Sequence, residues 1–185
     1  MKIIKRIFKY SFILIVVAVA FRAWLYRHLV TYSTKSVRSP IQAETKLINF
    51  IDSITKNKSE NEIEHIITLG LSITSNQLNF TFKNSPIDPN VLISTKLTHC
   101  VGYASFFATI CNYLLKKHHL KNKWKVTHRE GLLKVFGLKI HDYLDSPFYN
   151  SHDFVTIENK ETGVVFAVDP SLNDYLFIDF ITYTK

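Results

Sequence analysis

Between His99 and Lys116 the chain runs for 16 residues, Cys100 to Leu115, without a charge. Val101, Ala104, Phe107, Ala108, Cys111, Leu114 and Leu115 recur there at the spacing of one broad helical face. The run predicts a long helix that the rest of the domain must cover. Lys116, Lys117, His118 and His119 close it, where cations complement the negative end of the helix dipole. Thr98 is the candidate N-cap, which puts Cys100 in the first turn beside unpaired backbone N–H groups. A thiol ionises most readily in that position.

The flanking sequence supplies the cover. Leu47, Ile48, Phe50, Ile51 and Ile54 predict an amphipathic helix from Glu44 to between Lys56 and Ser59. Ile63, Ile66, Ile67, Leu69, Leu71 and Ile73 predict a second, Glu60 to about Gln77, weakened in its later half by Gly70 and β-branched residues. Asn79 to Lys83 suits a short extended piece, and the prolines and Asx residues of 84–90 suit a loop. Trp124 to Thr127 and Leu132 to Phe136 read as strands around Gly131, followed by a looser segment from Gly137 to Asn150 whose turn signal is Asp145-Ser146-Pro147. Phe154 to Glu158 and Val164 to Val168 read as a hairpin through Asn159 to Gly163. The expected class is α+β, with N-terminal helices packed on an antiparallel β-sheet, and 46% apolar content is enough for a real core.

The hairpin carries a geometric consequence. A register centred between Lys160 and Glu161 sets His152 directly opposite Asp169, on one face, with Cβ atoms about 5 Å apart. An imidazole–carboxylate hydrogen bond follows from that register, and a one-residue bulge in the turn would break it.

The net charge of +8 does not point to nucleic acid. Eight Lys and Arg and no acids precede Glu44, whereas 44–185 carry 15 of each sign. The basic excess therefore borders the uncharged run Tyr10 to Phe21, where it bears on membrane topology. Those 12 residues fall short of the roughly 17 that a bilayer core of about 30 Å demands. Phe8 to Tyr26 suffices if Lys9 and Arg22 snorkel and Trp24 and Tyr26 sit at the interface. An uncleaved anchor with the domain on the extracytoplasmic side is the favoured expectation. The alternative is a secretory signal cleaved after Ala18-Val19-Ala20. The expected layout is an anchor or signal over 1–26, a Ser- and Thr-rich tether over 27–43, and one domain over 44–185.

Cys100 and Cys111 lie 11 positions apart on one predicted helix, about 16 Å at 1.5 Å per residue. A disulfide needs Cα atoms within about 7 Å. They cannot pair within the chain, and Cys111 reads as a small buried hydrophobe.

Acyl chemistry by a thiol needs a base, a group that orients the base, and donors for the oxyanion. Cys100 is the candidate nucleophile, His152 the general base and acid, and Asp169 the group that fixes the imidazole tautomer. The Cys100 backbone N–H is one oxyanion donor, with Gln77 and Asn79 as weak candidates for another. The ordered set Cys100 with Ala104, His152 with Phe154 and Val155, and Asp169-Pro170 resembles the transglutaminase-like cysteine enzymes, relatives in architecture of papain-type proteases. The resemblance covers roughly residues 60–180. It implies a Cys-His-Asp triad acting on a peptide, protein or amide through a thioester, with no cofactor and no metal. Two positions depart from the family pattern: Phe154 stands where many members have Trp, and His99 where many have Gly. Ile140-His141-Asp142 mimics the His152 context but lacks a returning Asp, and the other histidines suit surface or helix-end roles. A non-catalytic binding module of the same fold is the competing expectation.

Overall fold

A computed structural model describes residues 2–56, 62–143 and 151–185. In chain order its elements are α1 (Lys2–Ala20), α2 (Arg22–Leu29), β1 (Val30–Val37), α3 (Thr45–Thr55), α4 (Ile63–Gln77), β2 (Asn79–Phe80), α5 (Pro89–Thr95), β3 (Leu97–Thr98), α6 (Cys100–Lys117), β4 (Trp124–Val135), β5 (Leu138–Lys139), β6 (His152–Asn159), β7 (Val165–Val168), α7 (Pro170–Leu176) and β8 (Thr182–Thr184). The chain is α+β.

The uncharged run is α6, and it is buried on more than the one face that its spacing suggested. Tyr103, Phe106, Phe107, Ile110 and Leu114 are all fully buried, because α6 lies between α4 and the sheet strands β4 and β6. Small residues let the helices approach. A Cβ on Gly70 of α4 would sit 2.9 Å from the Cys111 sulfur and from the Phe107 ring. Cys111 is thus a packing residue, its thiol pKa pushed up by burial. Both cysteines are free.

The main sheet has the order β7-β6-β4-β1-β8. It is mixed where an antiparallel sheet was expected, since β1 pairs antiparallel with β4 but parallel with β8. The two strands expected around Gly131 are one continuous strand, β4. Gly131 permits this by leaving room for the Phe154 ring, whose Cε1 would lie 2.5 Å from a Cβ there. β-strand alternation then divides β6 between two clusters. Val155 and Ile157 join the helices α3, α4 and α6 in the larger core. Phe154 joins Tyr32, Ala167 and Ile181 in a smaller one on the opposite face.

The stretch expected as a tether, 27–43, contributes β1 to the interior of the sheet. Its Ser and Thr residues had suggested a solvated linker, but β-branched Val30, Thr31 and Thr34 also suit a strand, and Tyr32 is only 1% exposed. The straight anchor expected over Phe8 to Tyr26 is also replaced. Among the described residues no single helix is long and apolar enough to cross a membrane, and α1 and α2 bend by 74° at Phe21. Every described side chain from 6 to 20 is exposed.

Candidate active site

Cys100 lies in the first turn of α6, as expected, but the helix starts at Cys100 itself, with His99 as the cap and not Thr98. The His99 Nδ1 accepts from the Val101 N–H at 3.3 Å. Thr98 instead turns its hydroxyl to the Pro86 carbonyl at 2.7 Å and packs where a side chain on residue 102 would otherwise be, which requires Gly102.

The β6–β7 hairpin pairs Val155 with Val168 and Ile157 with Phe166. That register is two residues away from the one expected. The shift comes from Asn159, whose Oδ1 accepts from the Glu161 and Thr162 N–H groups and moves the turn along the chain. Gly163 completes the turn at φ +71°. A shift of two preserves facing, so His152 and Asp169 remain on one face as diagonal neighbours. The His152 Nε2 donates to Asp169 Oδ2 at 2.6 Å. Cys100, at the start of α6, is near enough to this imidazole to favour its charged form. Of the three residues named from sequence, His152 and Asp169 meet directly, and Cys100 lies near the same ring.

Asp169 is held from all sides. Its Oδ1 caps α7 by accepting from the Ser171 N–H and the Leu172 N–H, both at 3.1 Å, and from the Ser171 hydroxyl at 2.7 Å. Its Oδ2 takes the Tyr32 hydroxyl at 2.9 Å as well as His152. Tyr32 in turn accepts from Tyr26 at 2.6 Å. Burial disfavours the carboxylate, but the His152 charge and these donors outweigh it, and the Asp169 pKa falls below 3.8. Burial likewise works against the His152 imidazolium. Asp169 and Cys100 together overcome it, so the imidazole pKa lies well above 6.5.

A second charged group flanks this one. Asp153, on the opposite face of β6, accepts from His128 Nε2 at 2.7 Å and from Arg38 through Nε at 2.6 Å and a terminal nitrogen at 3.0 Å. Arg38 is close enough to Cys100 for a negative charge there to raise the guanidinium pKa. His128, expected at the surface, is buried. Gln77 donates its amide to the Ile93 carbonyl at 2.8 Å, and Asn79 is exposed. The side chain of His141 lies outside the described residues, as does the turn at Asp145-Ser146-Pro147.

Sequence reading missed Tyr26, Tyr32, Ser171, Arg38 and the His128–Asp153 pair. The alternation of β-formers at Val30, Tyr32 and Thr34 was a usable signal for β1. Asp-Pro-Ser at 169–171 was one for a helix cap. Searches against protein-family models and against curated proteins find no match to this chain.

Proposed function

We propose that this chain is a membrane-tethered, transglutaminase-like cysteine enzyme that hydrolyses or transfers the acyl group of a peptide or amide through a thioester at Cys100. The observation that carries the reading is the 2.6 Å bond from His152 Nε2 to Asp169, with Cys100 near the same ring at the start of α6. An ionised carboxylate only accepts, so in the neutral ring Nε2 bears the proton and Nδ1 offers its lone pair toward the thiol. His152, whose raised pKa favours the imidazolium, takes the thiol proton before the sulfur attacks the carbonyl carbon. It then gives that proton to the leaving amine as the C–N bond breaks. Water or a second amine resolves the thioester. The oxyanion donor in this reading is the Cys100 N–H, in the first turn of α6 where backbone N–H groups have no intrahelical acceptor.

The transglutaminase-like fold is supported by a cysteine at the leading tip of a helix laid against a sheet that carries the His at the start of β6 and the Asp just past the end of its neighbour β7. The membrane tether is supported by α1, whose exposed residues include Phe8, Phe12, Leu14 and Val19, more apolar surface than a solvated helix leaves open.

The test is labelling with a thiol-directed acyl electrophile. Wild type is expected to label at one site, with labelling abolished in Cys100→Ala and slowed in His152→Ala. Labelling that persists unchanged in Cys100→Ala overturns the reading. Recovery in the membrane fraction, lost when 1–21 are removed, is the expected result for the tether.

A further inference from the structure

We infer that the acyl group delivered to Cys100 is a long aliphatic chain, bound in the apolar cleft beside His152, so that the substrate is a long-chain N-acyl amide. This rests on the acyl-enzyme chemistry proposed above and goes beyond it by naming the substrate class. The cleft has a volume of about 560 Å³ and has His152 and Asp169 in its wall, while Cys100 lies behind His152 and outside the lining. That volume is within the range of roughly 300–1,000 Å³ typical of small-molecule sites. A single peptide side chain would leave most of it empty.

Its polarity runs in one direction. The reacting pair marks one place in the wall, and Phe80, Phe82, Leu133, Leu172 and Leu176 make up most of the rest. Among the described lining residues the only ionisable pair able to carry charge at neutral pH is His152–Asp169, whose charges face each other. The hydroxyls in the wall are engaged within the protein. Tyr26 bonds to Tyr32, Tyr32 and Ser171 bond to Asp169, and Tyr175 accepts from the Phe80 N–H at 3.1 Å. A peptide main chain laid here would find few partners for the hydration it loses, whereas a hydrocarbon chain needs none.

The apolar surface also continues outward. Phe82 and Tyr175 are 81% and 57% exposed, and α7 at the rim is tied to the start of α2 by the Arg22 Nε bond to the Leu176 carbonyl at 2.6 Å. The Arg22 guanidinium lies over the Phe177 ring. The cleft wall thus includes Tyr26 of α2, which follows α1 with its exposed apolar run Phe12 to Ala20.

The experiment uses the full chain and a series of acyl-aminomethylcoumarin amides, acetyl to dodecanoyl, each below its critical micelle concentration. kcat/KM is expected to rise about fourfold per methylene while the chain lies within the cleft, from about 0.8 kcal/mol per buried CH₂. Phe82→Asp is expected to lower the dodecanoyl-to-acetyl ratio of kcat/KM at least tenfold. A ratio within one protein is insensitive to the amount of folded enzyme. Cys100-dependent turnover that is flat or falling with chain length overturns the inference and leaves the enzyme reading standing. The same holds if Cys100 takes the acyl electrophile but turns over no amide in the series. No labelling and no turnover overturns both.

Discussion

Replacing Asp169 by Asn is the sharpest perturbation of the site because it changes one atom of a carboxylate that takes five hydrogen bonds. The amide oxygen can keep the three on Oδ1, from the Ser171 N–H, the Ser171 hydroxyl and the Leu172 N–H. The amide nitrogen must then stand where Oδ2 was, facing two donors, Tyr32 and His152. Each is a bond to a charged group, with a net value of about 1.5–3 kcal/mol. Both partners can recover part of the loss by rotating or exchanging tautomer. The expected destabilisation is about 3–5 kcal/mol, the usual range for breaking one side of a buried pair. For a chain of this length that lowers Tm by roughly 6–20 °C. The recovery itself disables the base, since an imidazole accepting at Nε2 carries its proton on the nitrogen toward Cys100 and cannot take the proton of the thiol. Labelling of Cys100 by the acyl electrophile at neutral pH should fall by up to about 10⁴, the cost of a mis-set tautomer in a comparable triad. Circular dichroism establishes that the variant is folded at the assay temperature. A folded Asp169→Asn protein that labels within threefold of wild type refutes the assignment of Asp169.

Further outcomes follow from the same geometry. Tyr32→Phe keeps the ring against Phe154 but removes a donor from Asp169. It should cost about 1.5–3 kcal/mol in urea unfolding and raise the His152 pKa, because the carboxylate is then shared with fewer donors. An unchanged His152 midpoint contradicts it. The pair also makes stability depend on pH. Asp169, held below 3.8, stabilises the fold above that value and loses its contribution as pH falls through its depressed pKa. His152, held above 6.5, contributes fully below 6.5 and loses its contribution as pH rises through its raised pKa. The urea midpoint of wild type minus that of His152→Ala should therefore be largest between about pH 4 and 6.5 and shrink on both sides; a difference constant from acid to alkaline pH excludes the ion pair. Gly131→Ala drives a Cβ to within 2.5 Å of the Phe154 ring and 3.0 Å of the His152 carbonyl oxygen. Overpacking of that kind costs about 1–3 kcal/mol, and an unshifted Tm would show that β4 can move away without loss.

The parts of this molecule legible in the sequence are those fixed by local patterning. The α6 run, the α3 and α4 periodicities and the hairpin strands all appear where their apolar spacing puts them. Facing survived even where register did not, because side-chain alternation has a period of two and the turn shifted pairing by two. The elements that went unread depend on distant partners. β1 looks like a solvated tether until β4 and β8 flank it. Tyr32 is unremarkable in sequence, yet it is 137 positions from the carboxylate it serves. Asp153 and His128 are separated by 25 positions and are joined only through the β4–β6 ladder, in which no local pattern marks either. The 74° break at Phe21 has no proline or glycine to announce it.

The most direct test of a coupled Cys100, His152 and Asp169 is the ¹⁵N NMR titration of the His152 ring in the full chain. In wild type the midpoint is predicted to lie well above the ordinary 6.5, and to fall in Cys100→Ala because the sulfur contributes to holding the imidazolium. A midpoint that Cys100→Ala leaves in place would contradict it, placing the thiol and the ring in separate environments.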